Sequence, residues 1–117
     1  MQKANKDLNS KMQASLFYQL TTVLADLNRP YQVDTFLRSF LTPTEQVVLA
    51  KRIAIARMLE AGCSYEDIRA ELQVSSATIA SVAEIIKSEG VQLALRKLRI
   101  DDWADKIASK VTSLFKS

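Results

Sequence analysis

Few side chains of this 117-residue sequence could act as nucleophiles, acid/base groups or metal ligands. It contains one cysteine, Cys63, and no histidine, so no imidazole is present to activate the thiol or to bind zinc. Two glycines, Gly62 and Gly90, are too few for a glycine-rich phosphate-binding loop. We therefore expect a protein that is not an enzyme and uses no metal and no cofactor. Cys63 is expected to be a half-buried residue at a helix junction.

The stretch LQVSSATIASV, residues 72–82, has the form of a tight turn that runs into the second helix of a helix-turn-helix. Its outward side chains are Ser, Ala and Thr. Hydroxyls and free amides at a helix N-terminus can bond phosphate, and an alanine methyl can contact a thymine methyl. The stretch lacks the long side chains that read base edges through two hydrogen bonds, each worth about 1–3 kcal/mol. These features indicate DNA contact with little base discrimination.

Charge is distributed unevenly along the chain, which carries a formal net charge of +3. Residues 1–40 sum to +2, residues 41–90 to −2 and residues 91–117 to +3. Because phosphate neutralisation supplies most non-specific affinity for DNA, the acidic middle segment weakens the case for DNA contact there. Two basic clusters could compensate, although the same charges would equally suit a solvated face. They are Lys3, Lys6 and Lys11 near the N-terminus, and Arg96, Lys97 and Arg99.

The composition predicts one soluble, all-α domain over residues 1–117. An apolar fraction of 48% with 25% charged residues is ordinary for a globular protein, and Pro and Gly are rare. No apolar run approaches the roughly 18 residues that span a bilayer, and the polar N-terminus MQKANKDLNSKMQ lacks a secretory signal. We expect a cytoplasmic protein.

Apolar spacing and capping residues predict three helices in the first half. The first two cover residues 12–27 and 31–41. The stretch LTPTEQ predicts the start of a third, with Thr42 as its cap and Glu45 placed to bond back to the cap amide. Gly62 is expected to end this long helix in a left-handed conformation.

Two short capped helices follow, and together they predict a helix-turn-helix over about residues 64–88. Ser64 caps YEDIRAEL, Ser75 caps SATIASVAEIIK, and Val74 points inward from the turn between them. Inward positions on the two helices are Ile68, Leu72, Ile79, Val82 and Ile86.

The C-terminal segment is predicted to form two further helices. Gly90 ends the preceding helix, VQLALRKL forms a short one, and Asp101 or Asp102 caps an extra helix over about residues 101–115. That last helix carries an apolar stripe, which could pack on the core, on a second subunit or, less readily, on a membrane surface. The stripe consists of Trp103, Ile107, Val111 and Leu114.

The sequence from about residue 40 to residue 98 resembles the Trp repressor family and its bacterial relatives. The patterns L-T-P-x-E, an Arg within the long helix, S-Y-x-x-I-x-x-E-L and S-x-A-T-I occur in matching order and spacing, followed by VQLALRKL. The resemblance implies an intertwined homodimer that presents two helix-turn-helix units to double-stranded DNA. Burial in such a dimer, or in an intrachain core, would accommodate the large side chains at both ends of the chain. These are Phe17, Tyr18, Phe36, Phe40, Trp103 and Phe115.

The family's tryptophan-binding residues are only partly present. In the family, tryptophan lies between an Arg of the long helix and an Arg of the recognition helix, near two Thr residues. Thr42, Arg52 and Thr78 occupy matching positions, but Ser81 replaces the second Arg and Val82 replaces a Gly. Without the second guanidinium the indole loses its clamp, and the valine reduces the space. The resemblance thus implies a candidate effector pocket at Thr42, Arg52, Thr78 and Ser81, with tryptophan an unsuitable ligand. Instead of binding an effector, Arg52 could form an ion pair or cap a helix, and the Thr78 hydroxyl could bond to its own helix.

The positions that match the family's DNA contacts carry mostly small residues. Glu66 and Asp67 lie close by in the sequence and would repel phosphate. We expect low base discrimination and a steep dependence of affinity on salt. The matching residues are Arg69, Ser75, Ser76, Ala77, Ala80 and Lys87.

Three functions fit these observations. The leading hypothesis is a DNA-binding transcriptional regulator of Trp repressor-like type that does not respond to tryptophan. The acidic middle segment and the Ser/Ala face instead favour a dimeric protein-interaction module in which DNA contact is weakened or lost. LTPTEQ followed by SYEDIRAEL also resembles the helix-turn-helix of σ-factor regions and response regulators.

Overall fold

The structure, a computed structural model, describes the backbone of residues 9–115; it leaves out the side chains of residues 101, 103–108, 110, 111 and 115. The predicted stripe positions Trp103, Ile107 and Val111 lie outside the described side chains. Within the described range the chain is all-helical, as predicted, and none of its helices is long and apolar enough to cross a membrane. The helices are α1 (Ser10–Asp26), α2 (Pro30–Phe40), α3 (Pro43–Glu60), α4 (Tyr65–Leu72), α5 (Ser76–Ile85) and α6 (Glu89–Phe115).

The chain divides into two compact units, one ending at Gln46 and the other beginning at Val47. The first unit contains α1, α2 and the first turn of α3. The second contains the rest of α3 with α4, α5 and α6. The expectation of one domain over the whole sequence stays a prediction.

Helices α1 and α2 have defined starts but bury none of their residues. Asn9 caps α1 by accepting a hydrogen bond from the Met12 amide (2.8 Å), and Pro30 opens α2 at the position where its fixed φ suits a helix. The rings of Phe36 and Phe40 stack with their centroids 5.1 Å apart. Both helices therefore present apolar side chains on an open surface of this unit.

The predicted capping box at the start of α3 is confirmed. The Glu45 amide donates to Thr42 Oγ1 (3.1 Å), and the Thr42 amide donates to Glu45 Oε1 (2.8 Å). These backbone and side-chain bonds from Thr42 lower the pKa of the Glu45 carboxyl. Gln46 adds a bond from its side-chain amide to the Leu41 carbonyl (3.0 Å).

The second unit has a small apolar core to which all four of its helices contribute. As predicted, Ile68, Ile79 and Val82 point inward, and they pack with Ile55 of α3 and Leu95 of α6. Burial of an aliphatic side chain of this size stabilises the fold by about 1.5–3 kcal/mol. The core thus fixes α4 and α5 against α3 and α6.

The end of α3 follows the predicted glycine signal. Gly62 has φ +88°, its amide donates to the Leu59 carbonyl (3.0 Å), and the Cys63 amide donates to the Met58 carbonyl (3.0 Å). These two bonds form the Schellman arrangement that ends many helices. Cys63 is half-buried against the core at the α3–α4 junction, as expected, and Ser64 then caps α4 by accepting from the Asp67 amide (3.1 Å).

The prediction that Gly90 ends α5 is wrong. Helix α5 ends at Ile85, and Gly90 lies in the first turn of α6. Side chains bond the carbonyls at this helix end instead: Ser88 Oγ donates to the Ile85 carbonyl (2.6 Å), and Gln92 Nε2 donates to the carbonyl of Ile86, the residue after α5 (2.5 Å). A left-handed glycine is not needed where side chains satisfy these carbonyls.

The prediction of a separate helix over about residues 101–115 is also wrong. Helix α6 runs without a break from Glu89 to Phe115, so neither Asp101 nor Asp102 caps a helix there. Beyond Gly90 this segment contains no Gly or Pro, and an Asp inside a helix costs at most about 0.7 kcal/mol relative to Ala. The Asp102 carboxylate instead pairs with Arg57 of α3 (2.5 Å).

Candidate functional site

The turn between α4 and α5 is built on a non-glycine residue in the left-handed conformation. Gln73 has φ 55° and ψ 56°, and its amide donates to the Arg69 carbonyl (2.8 Å), which ends α4. The next residue, Val74, is half-buried and packs against the core. Residues 73–75 therefore connect the two helices, and Ser75 stands at the start of α5.

Hydroxyl groups along one side of α5 bond to the helix itself. Ser75 Oγ accepts from the Thr78 amide (3.1 Å) and lies 2.9 Å from Thr78 Oγ1, while Ser81 Oγ donates to the Thr78 carbonyl (2.8 Å). Ser75 is thus the N-cap that the sequence predicted. The Thr78 hydroxyl bonds to the cap at the start of its own helix, in line with the structural alternative for this residue.

The sequence-predicted DNA contacts are all exposed, but they do not share one helix. Arg69 lies in the last turn of α4, whereas Lys87 lies past the end of α5 in the turn to α6. The others occupy the start of α5, where amide groups and the positive end of the helix dipole favour an anion. They are Ser75, Ser76, Ala77 and Ala80.

The two acidic residues near this surface have a structural role of their own. Glu66 and Asp67 are exposed in the first turn of α4, where carboxylates stabilise the positive end of a helix. The α4–α5 turn lies at the other end of this eight-residue helix, about 12 Å along its axis. Their repulsion of an anion at the turn is therefore weakened by distance and screening.

Lys51 of α3 contacts the same turn, and sequence reasoning missed it. Its Nζ donates to the Gln73 carbonyl at 3.4 Å, and the side chain is half-buried. The two residues are 22 positions apart. No local pattern links them, because packing of α3 against the turn creates the contact.

A small apolar cavity of about 190 Å³ lies among α3, α5 and α6. Among the described residues that line it, Arg52 is the one with a charged side chain, and Val82 takes up space on the α5 side as the sequence predicted. Thr42, by contrast, is the N-cap of α3, and the hydroxyls of Thr78 and Ser81 bond within α5. The cavity lining is Arg52, Ile53, Ala56, Val82, Ile85, Gly90, Val91, Ala94 and Leu95.

Two ion pairs tie α3 to α6 and were not foreseen from the sequence. Arg57 pairs with Asp102, and Glu60 with Arg99. Arg99 of the predicted basic cluster is thus engaged within the protein. Among the side chains that the structure describes, no three Cys, Asp or Glu residues are grouped so that they could hold a metal ion.

A comparison with models of protein families identifies a family for this chain. Residues 14–98 match the model of the family described as Trp repressor protein, which covers the described helices from within α1 to the middle of α6. A search of curated proteins and a search of solved structures found no match.

Proposed function

The chain belongs to the Trp repressor family, and on this basis we propose that it is a DNA-binding transcriptional regulator that acts as a homodimer. In this proposal α4, the turn at residues 73–75 and α5 form a helix-turn-helix. The observation that carries it is the capped, exposed N-terminus of α5, held on a tight turn by Val74 and by Ile79 in the core.

The exposed residues at the start of α5 are suited to phosphate contact more than to base reading. Ser75, Ser76, Ala77 and Ala80 offer hydroxyls, free amides and methyl groups, whereas exposed positive charge comes from Arg69 in α4 and Lys87 after α5. We therefore propose low intrinsic discrimination, with register set by phosphate contacts and by the spacing of two units in a dimer.

A second copy of the chain is the proposed cover for the apolar surface of the first unit. Four aliphatic side chains of α1 are 41–51% exposed at helical spacing, and no residue of α1 or α2 is buried. Full burial of each side chain against a second copy would stabilise the dimer by about 1.5–3 kcal/mol. The four are Leu16, Leu20, Val23 and Leu24.

The cavity beside Arg52 is the proposed effector site, with a ligand other than tryptophan. Its apolar walls and single guanidinium suit a small aliphatic carboxylate, which would place its charge on Arg52. Ser81 supplies no second guanidinium, and Val82 occupies part of the space. Thr42 and Thr78 have structural roles as described above. We propose no catalytic activity for this site.

The test is a fluorescence-anisotropy titration of the protein against random-sequence duplex DNA at two salt concentrations, with the molar mass measured in parallel. We expect salt-sensitive binding by a dimer, weakened by Arg69→Ala and by Lys87→Ala without loss of the dimer. Arg38→Ala is the charge control: it removes an exposed positive charge, paired with Asp34, from α2, outside the face assigned to DNA, and its molar mass is measured in the same way. If the two variants bind like the control, this face does not contact DNA.

A protein-interaction module is the second candidate. The acidic balance of residues 41–90 and the Ser/Ala surface of α5 favour it. The same titration decides between the two, because a folded dimer that binds no DNA even at low salt would support the module and exclude the regulator.

A further inference from the structure

We propose that Lys51 is a positioning residue that fixes the direction of α5 through the carbonyl group of Gln73. An influence of Lys51 on DNA binding rests on the function proposed above, whereas its influence on the start of α5 does not. Lys51 is outside the exposed set that was assigned to DNA contact, and it reaches the turn from α3.

The contact joins α3 to the peptide carbonyl of the left-handed residue in the turn. Lys51 Nζ lies 3.4 Å from the Gln73 carbonyl oxygen, and Gln73 is the left-handed residue that ends α4. The carbonyl groups at a helix C-terminus lack partners within the helix and carry partial negative charge. The Lys51 ammonium group donates a hydrogen bond to this carbonyl, and its positive charge stabilises the partial negative charge of the helix end.

The Gln73 carbonyl belongs to the peptide that leads into Val74, so its orientation decides how the chain enters α5. Val74 packs against the core immediately afterwards, and Ser75 begins the N-cap one residue later. The start of α5 therefore depends on the turn on one side and on Ile79 in the core on the other. Loss of the Lys51 bond loosens the turn, while Ile79 remains held in the core.

Two other roles are open to this lysine, and they predict different results. A direct phosphate contact would change the salt dependence of DNA binding and leave α5 unaffected in the free protein. A purely global effect on stability would loosen α4 and α5 alike. A positioning role loosens the start of α5 selectively.

The experiment compares amide hydrogen exchange at two matched helix starts in the protein without DNA. The Thr78 and Ile79 amides bond to Ser75 as the Asp67 and Ile68 amides bond to Ser64, with distances of 3.1–3.2 Å. In Lys51→Met, which keeps the aliphatic stem, we expect exchange at Thr78 and Ile79 to rise about three- to tenfold while Asp67 and Ile68 remain unchanged. Lys51→Arg should restore protection. Unchanged exchange at α5, or an equal rise at both helix starts, overturns the proposal.

The DNA titration then separates positioning from contact. We expect Lys51→Met to weaken binding with the same salt slope as the unmodified protein, whereas loss of a phosphate contact lowers the slope by about 0.9. If the unmodified protein binds no DNA, the proposed function fails and the exchange comparison still decides the role of Lys51. Lys51→Leu, which also lacks a donor, replaces the Met variant in both measurements if the latter does not fold.

Discussion

Replacement of Gln73 by glycine is expected to stabilise the protein, because Gln73 adopts a backbone conformation that side chains disfavour. At φ 55° and ψ 56° the Cβ atom crowds the following carbonyl. This costs a residue other than glycine about 1–2 kcal/mol. Glycine removes that cost but adds backbone entropy to the unfolded chain, which offsets about 0.5–1 kcal/mol. The expected net gain in the free energy of unfolding is about 0.5–1 kcal/mol.

The matched control is Gln73→Ala, which removes the same exposed side chain but keeps a Cβ. Alanine retains the steric cost, so its stability should stay close to that of the unmodified protein. The difference between the two variants isolates the backbone contribution. Since the Lys51 contact uses the Gln73 carbonyl, neither substitution removes its acceptor.

Thermal and urea unfolding at one fixed protein concentration measure this difference, because a dimer melts at a concentration-dependent temperature. We expect Gln73→Gly to melt about 2–5 °C above Gln73→Ala. A glycine variant that melts at or below the alanine variant would mean that residue 73 is not left-handed in solution. The turn geometry described here would then be incorrect.

Three further substitutions test the core, the cap of α3 and the α3–α6 contact. Ile79→Asp should abolish cooperative unfolding, because it places an unpaired charge at a fully buried position. The control Ala80→Asp, on the exposed side of α5, should fold normally. If the two variants melt at comparable temperatures, the assignment of buried and exposed faces on α5 is wrong. Because the pKa of Glu45 is lowered in the folded protein, its cap contributes fully at neutral pH and loses that contribution as the pH falls through the lowered pKa. Glu45→Gln should therefore flatten the acid side of the stability profile measured by urea unfolding. Arg57→Ala should lower the free energy of unfolding by less than about 1 kcal/mol, and by less still in high salt, because the side chains of Arg57 and Asp102 are 45% and 53% exposed. A larger loss that does not depend on salt, measured by chemical denaturation, would show that solvent does not screen this ion pair.

Local signals in the sequence predicted most of the helix boundaries. Thr42 with Glu45, Ser64 and Ser75 begin helices where their capping chemistry indicated, and Gly62 ends one. These predictions succeed because each depends on atoms within a few residues of the boundary. The prediction for Gly90 failed although the atoms involved are also local, because the Ser88 and Gln92 side chains bond the carbonyls of Ile85 and Ile86 and no glycine signal distinguishes this arrangement.

The site was only partly predictable. The sequence identified the exposed residues of α4 and α5 and the reduced space at Val82, which follow from helical periodicity and from residue size. Lys51 at the turn could not be inferred, since its partner is 22 residues away and nothing in its neighbours distinguishes it. The grouping of Arg52 with α6 residues around the cavity likewise depends on how three helices pack.

The sequence by itself determined the helical class, the caps and the chemistry of the α5 surface, because these depend on residue type and on spacing along one helix. Only the tertiary structure decided that Gln73 takes a left-handed conformation supported by Lys51. It also decided that Asp102 pairs with Arg57 inside one continuous α6 rather than capping a new helix. The physical reason is that a cap is satisfied by neighbours in the chain, whereas a turn carbonyl or a mid-helix carboxylate takes whichever partner packing brings within reach.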